Sequence, residues 1–95
     1  MSRAMRRALD AVAGIEGGLK LHFFNLDSRR TSVRLDALTW DALCDIAKRE
    51  DMTVHDICRQ VAACERRGGL SFTVALRCVI TGYFRAAAGE DPRLN

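Results

Sequence analysis

Residues 30–35 alternate strictly: Arg30, Ser32 and Arg34 fall on one side, Thr31, Val33 and Leu35 on the other. A period of two marks a strand with one buried face and one wet face. Such a strand cannot stand alone, because its edge groups and its apolar face both need cover. Beyond Leu35 the pattern turns helical. Asp36 is placed to cap a helix from Ala37 to about Glu50, with Trp40, Leu43, Ile46 and Ala47 at helical spacing. Thr53, with Asp56 three positions later, opens a second helix whose stripe is Ile57, Val61 and Cys64 and which Gly68-Gly69 is expected to end. Ser71 opens a third, with Phe72, Ala75, Leu76, Val79, Ile80, Tyr83 and Phe84 on its face. This helix is apolar on more than one side, so it is expected to lie buried between neighbours.

Upstream, Lys20–Leu26 is rich in Leu and Phe and reads as another strand, with Leu21, Phe23 or Phe24, and Leu26 apolar. Asn25-Leu26-Asp27-Ser28 is turn chemistry. Before it, Met5, Leu9 and Val12 recur at helical spacing near Arg3, Arg6 and Arg7, and Gly14, Gly17 and Gly18 stop the pattern. That segment is expected to be a mobile arm or a frayed helix. The expected organisation is a basic arm over residues 1–19, a folded domain over 20–88 and an unpatterned tail over 89–95.

A chain of 95 residues makes one small domain, too short for a two-domain enzyme or a dinucleotide-binding domain. At this size a partner subunit is expected to complete the core. No run approaches the roughly 18 apolar residues of a membrane span. Charge is unevenly placed: residues 1–35 carry seven basic and three acidic groups, while residues 36–95 carry eight and nine. A basic N-terminal third on a near-neutral body points to an anionic partner at that end.

Cys44, Cys58, Cys64 and Cys78 contain no CxxC pair and fall in helical stretches. They are expected to be small buried hydrophobes in a reducing, cytoplasmic setting. His55 and Cys58, even with Asp51, lack the further ligands of a zinc site, so neither metal nor other cofactor is expected. No HExxH or glycine-rich phosphate loop occurs, and no enzyme activity is expected.

The string Arg30-Thr31-Ser32-Val33-Arg34-Leu35-Asp36, followed by Trp40-Asp41-Ala42-Leu43, Ile46-Ala47 and Met52-Thr53-Val54, resembles the ribbon-helix-helix superfamily of Arc and MetJ type. With Leu70-Ser71 and Ala75-Leu76-Arg77 added, it looks like a longer three-helix subfamily of largely uncharacterised bacterial proteins. The resemblance implies a mostly helical α+β fold, a ribbon-helix-helix with an extra N-terminal strand and a third C-terminal helix, forming an intertwined homodimer. It implies a regulator of transcription that lays a two-stranded ribbon in the major groove of double-stranded DNA. Base contacts then fall to Arg30, Ser32 and Arg34, and phosphate contacts to the amides of Thr53, Val54 and His55. Arg29 is a further expected phosphate contact, and Val33, Leu35, Trp40, Leu43, Ile57 and Val61 are the expected dimer core. The family usually has Gly where this chain has Asp51, and Asp51 and Asp56 place carboxylates near the expected phosphate. The competing reading is an antitoxin-like interaction or oligomerisation module. The first strand and third helix would then build a higher even oligomer or dock a protein partner.

Overall fold

The computed structural model describes residues 1–15, 17–64 and 68–90. In chain order these form α1 (Arg3–Ala13), β1 (Lys20–Leu26), β2 (Arg29–Leu35), α2 (Ala37–Arg49), α3 (Val54–Ala63) and α4 (Phe72–Glu90). The fold is α+β and mostly helical. β1 and β2 pair antiparallel within the one chain, from Lys20 opposite Leu35 to Leu26 opposite Arg29. The alternating strand therefore finds a partner for one edge in its own chain. The hairpin turn is Asp27-Ser28, both with positive φ (49° and 67°), the backbone of a two-residue turn that matches strand twist.

The expected helix starts are present. Asp36 accepts the Thr39 amide at 2.7 Å and the Thr39 hydroxyl at 2.9 Å. At α3, Thr53 Oγ1 accepts the Asp56 amide at 3.0 Å while an Asp56 carboxylate oxygen accepts the Thr53 amide at 3.1 Å, a reciprocal box. Ser71 accepts the Val74 amide at 3.3 Å. Between α2 and α3 the chain reverses at Asp51, φ 52°. The Met52 amide returns to the Ala47 carbonyl (2.9 Å) and the Asp51 amide to Lys48 (3.3 Å), the left-handed stop that usually calls for Gly.

Leu26, Val33, Leu35, Leu43, Ile46, Ala47, Ile57, Cys58, Val61, Ala75, Leu76 and Ile80 make one core. Leu35, Leu43 and Leu76 are fully enclosed, so truncating any of them to Ala is expected to cost about 2–5 kcal/mol. The sheet covers one side of this core, and α4 packs against α2, α3 and β2.

Several local features differ from the expectations or extend them. The helix over Arg3–Ala13 is complete, with Ser2 accepting the Met5 amide at 3.0 Å, yet it buries no residue. It adds length without adding core, and the radius of gyration of 14.6 Å exceeds the roughly 12 Å of a compact chain this long. α3 ends at Ala63 with Cys64 as its cap, ahead of Gly68-Gly69. α4 buries only Ala75, Leu76 and Ile80, while Val74, Cys78 and Val79 face solvent. Among the described residues, neighbours cover one side of it. Among the cysteines only Cys58 is buried; Cys44 is half-buried, Cys64 and Cys78 are exposed, and all four are free. α4 also runs on through Gly89 and Glu90, into the stretch expected as tail, and residues 91–95 lie outside the described residues.

Candidate nucleic-acid interface

A two-residue turn makes the flanking pair, Leu26 and Arg29, a hydrogen-bonded pair, and the two pair types alternate from there. Arg30, Ser32 and Arg34 are then non-hydrogen-bonded partners of Asn25, Phe23 and Leu21, and their backbone groups aim away from β1. Two side-chain contacts agree with this. Arg77 of α4 donates to the Arg34 carbonyl at 3.1 Å on the far edge of β2, and His55 Nε2 donates to the Asn25 carbonyl at 2.7 Å on the far edge of β1.

The side chains sort by the same alternation. Arg30, Ser32 and Arg34 share the outer face with Asn25, Phe23 and Leu21, and all six are exposed. The Arg30 guanidinium lies 4.1 Å from the Phe23 ring centroid. Stacking uses only the face of the guanidinium and leaves its in-plane N–H donors free. The inner face carries Val33, Leu35, Phe24 and Leu26 into the core, with His22 flat against Trp40. Arg29 is exposed at the turn end and alternates onto the side opposite Arg30.

Thr53, Val54 and His55 open α3, and the His55–Asn25 bond brings this helix start to the turn end of the hairpin. Asp56 occupies the Thr53 amide, so the Val54 and His55 amides are the ones left for an anion. The hydrogen bond from the Thr53 amide, then that from its hydroxyl, holds the Asp56 carboxyl below its ordinary range. The helix end therefore carries a resident negative charge, which a bound phosphate must tolerate or displace.

Val33, Leu35, Leu43, Ile57 and Val61 are all buried within one chain, and Trp40 is half-buried. Among the described residues no group of three or more His, Cys, Asp or Glu side chains is placed to hold a metal ion. No helix among them is long and apolar enough to cross a membrane.

A family model for the ribbon-helix-helix domain matches residues 19–84, which takes in the hairpin, α2, α3 and most of α4. The chain belongs to the ribbon-helix-helix domain family. Neither the curated proteins nor the solved structures contain a match. A ribbon-helix-helix domain is in general a fold of DNA-binding regulators, typically non-enzymatic. In this one the hairpin partner β1 adds three residues to the exposed face that the alternation over 30–35 does not announce. A signal for them is nonetheless present in the chain: taking Asp27-Ser28 as the two turn residues sets Asn25 against Arg30 and Phe23 against Ser32.

Proposed function

We propose that this ribbon-helix-helix protein is a sequence-specific regulator of transcription that binds double-stranded DNA as a homodimer. The observation that carries the reading is the exposed row Arg30, Ser32 and Arg34 on a two-stranded ribbon. Arg forks match guanine O6 and N7, and Ser both donates and accepts. The amides of Val54 and His55, beside the same ribbon, suit a phosphate, and Arg29 adds charge at the turn. A dimer is supported by the outer edge of β2. Its backbone groups at Arg30 and Ser32 aim away from β1, and a hollow lined by Leu26, Arg29, Arg30, Thr31, Ser32, Ala62 and Phe72 lies beside it. A second β2 laid there joins the two hairpins into one sheet.

Selection of bound sequences from random double-stranded DNA tests the reading. Enrichment of a two-fold symmetric site is expected, with affinity falling steeply as salt rises. Arg34→Lys keeps the charge and loses the fork, so it is expected to cost about 1–3 kcal/mol on the selected site and little on random DNA. Arg29→Ala is expected to weaken both alike and to flatten the salt slope by about one unit for each phosphate it no longer neutralises. Sedimentation should show a dimer at micromolar concentration. Absence of enrichment even at low salt would favour the interaction-module reading, which the exposed Val74, Cys78 and Val79 of α4 support.

A further inference from the structure

The outer face of the hairpin is not uniformly polar. Phe23 is 51% exposed and Leu21 46%, and they sit directly opposite Ser32 and Arg34. Two large apolar side chains bare to solvent beside two arginines call for a partner that is both anionic and locally apolar. Double-stranded DNA is such a partner wherever thymine places its 5-methyl group in the major groove. Resting on the DNA-binding reading above, we infer that β1 is a second reading strand, with Phe23 and Leu21 contacting thymine methyl groups at the flanks of the site.

The dimensions fit this division of labour. Alternate residues on a strand lie about 6.7 Å apart, close to the rise of two base pairs at about 3.4 Å each. When two hairpins join at their β2 edges, the strand order is β1-β2-β2-β1, and the outer strand axes stand roughly 14 Å apart at about 4.8 Å per strand. The major groove is about 12 Å wide. The two central strands therefore face the groove floor with Arg30, Ser32 and Arg34, and β1 meets the groove's flanks. Thymine's methyl group lies toward the flank, on the side of its own backbone. Asn25, opposite Arg30 on the same face, brings an amide that suits adenine N6 and N7. His55 fixes the backbone of this strand by its 2.7 Å bond to the Asn25 carbonyl, so the anion-binding helix end and β1 are placed together. The Arg30 guanidinium over Phe23 ties the apolar contact to the guanine-reading one. The expected site has guanines near its centre and A·T pairs on both sides.

The test replaces thymine by deoxyuridine, which removes only the methyl group, at each flanking position of the selected site. Wild-type protein is expected to lose about 4-fold in affinity for each methyl it contacts. Phe23→Ala, at an exposed position, is expected to keep its melting temperature and to lose sensitivity at the methyl that Phe23 contacts, while staying sensitive at the one Leu21 contacts. Phe23→Leu, which keeps an apolar side chain, is expected to remain sensitive to the methyl. If wild type selects a site yet is indifferent to deoxyuridine everywhere in the flanks, β1 does not read thymine and the DNA-binding reading stands without it. If wild type selects no site, both fall. If Phe23→Ala instead changes the oligomeric state without DNA, and deoxyuridine has no effect, the face binds protein and the inference is overturned.

Discussion

The imidazole of His22 lies flat on the indole of Trp40, ring centroids 3.9 Å apart and planes 4° from parallel. The stack joins β1 to α2 across the edge of the core, with Phe24 adding a second ring 6.4 Å from the indole. It gives the first strand a fixed seat on the helix that comes after β2. Trp40 is the single tryptophan of the chain, so its fluorescence reports on this one site. His22→Ala is expected to cost about 0.5–1.5 kcal/mol in denaturant unfolding and to shift the native emission. An unchanged spectrum with unchanged stability would mean the rings do not stack in solution.

Asp36 carries a pH dependence of known sign. The hydrogen bond from the Thr39 amide, the bond from its hydroxyl and the charge of Arg77 together hold its carboxyl below the ordinary range, against the opposing effect of burial. A lowered folded pKa contributes stability above the unfolded value, roughly 3.9, and loses it as pH falls through the folded value. Asp36→Ala is expected to destabilise by about 0.5–2 kcal/mol at pH 7. The gap between variant and wild type should narrow below about pH 4. A gap that widens in acid contradicts the assignment.

Asp51 holds a left-handed φ of 52° without the help of a missing Cβ. Asp51→Gly is expected to gain up to about 1 kcal/mol, raising the melting temperature by several degrees. It also removes one of the carboxylates beside the start of α3, so DNA affinity should rise rather than fall. A glycine variant that melts below wild type would show that the Asp51 side chain supports the turn.

The thiols divide by burial. The core pushes the Cys58 thiol up to about 11, while Cys64 and Cys78 are exposed. A thiol reagent at pH 8 should label Cys64 and Cys78 quickly in the native protein and Cys58 only on unfolding. Because the folded thiol holds its proton more tightly, its contribution is full below the ordinary thiol range and is lost as pH rises toward about 11. All four being free, reductant should leave the melting temperature unchanged; a fall of many degrees would reveal a disulfide.

What the sequence determined by itself is local. Alternation over 30–35, the caps at Asp36, Thr53 and Ser71, and the helical spacing of Leu43, Ile46, Ile57 and Val61 are short-range patterns, and each element they announce is present. Backbone hydrogen bonding and side-chain periodicity act over a few residues, so they can be read from a few residues. The family, carried by those same spacings, was legible too. Tertiary structure decided which faces meet. Whether Phe23 or Phe24 turns inward depends on the register set at Asp27-Ser28, and the register puts Phe24 in the core and Phe23 beside Arg30. The cysteines show the same limit: four residues expected in helical stretches differ in exposure because the core encloses Cys58, while Cys64 caps α3 and Cys78 lies on the exposed side of α4. His22 and Trp40, and His55 and Asn25, are 18 and 30 positions apart, and only the packed chain brings them within contact. A side chain's neighbour across the fold is fixed by the packing of whole elements, a many-body balance of burial that no short window of sequence contains.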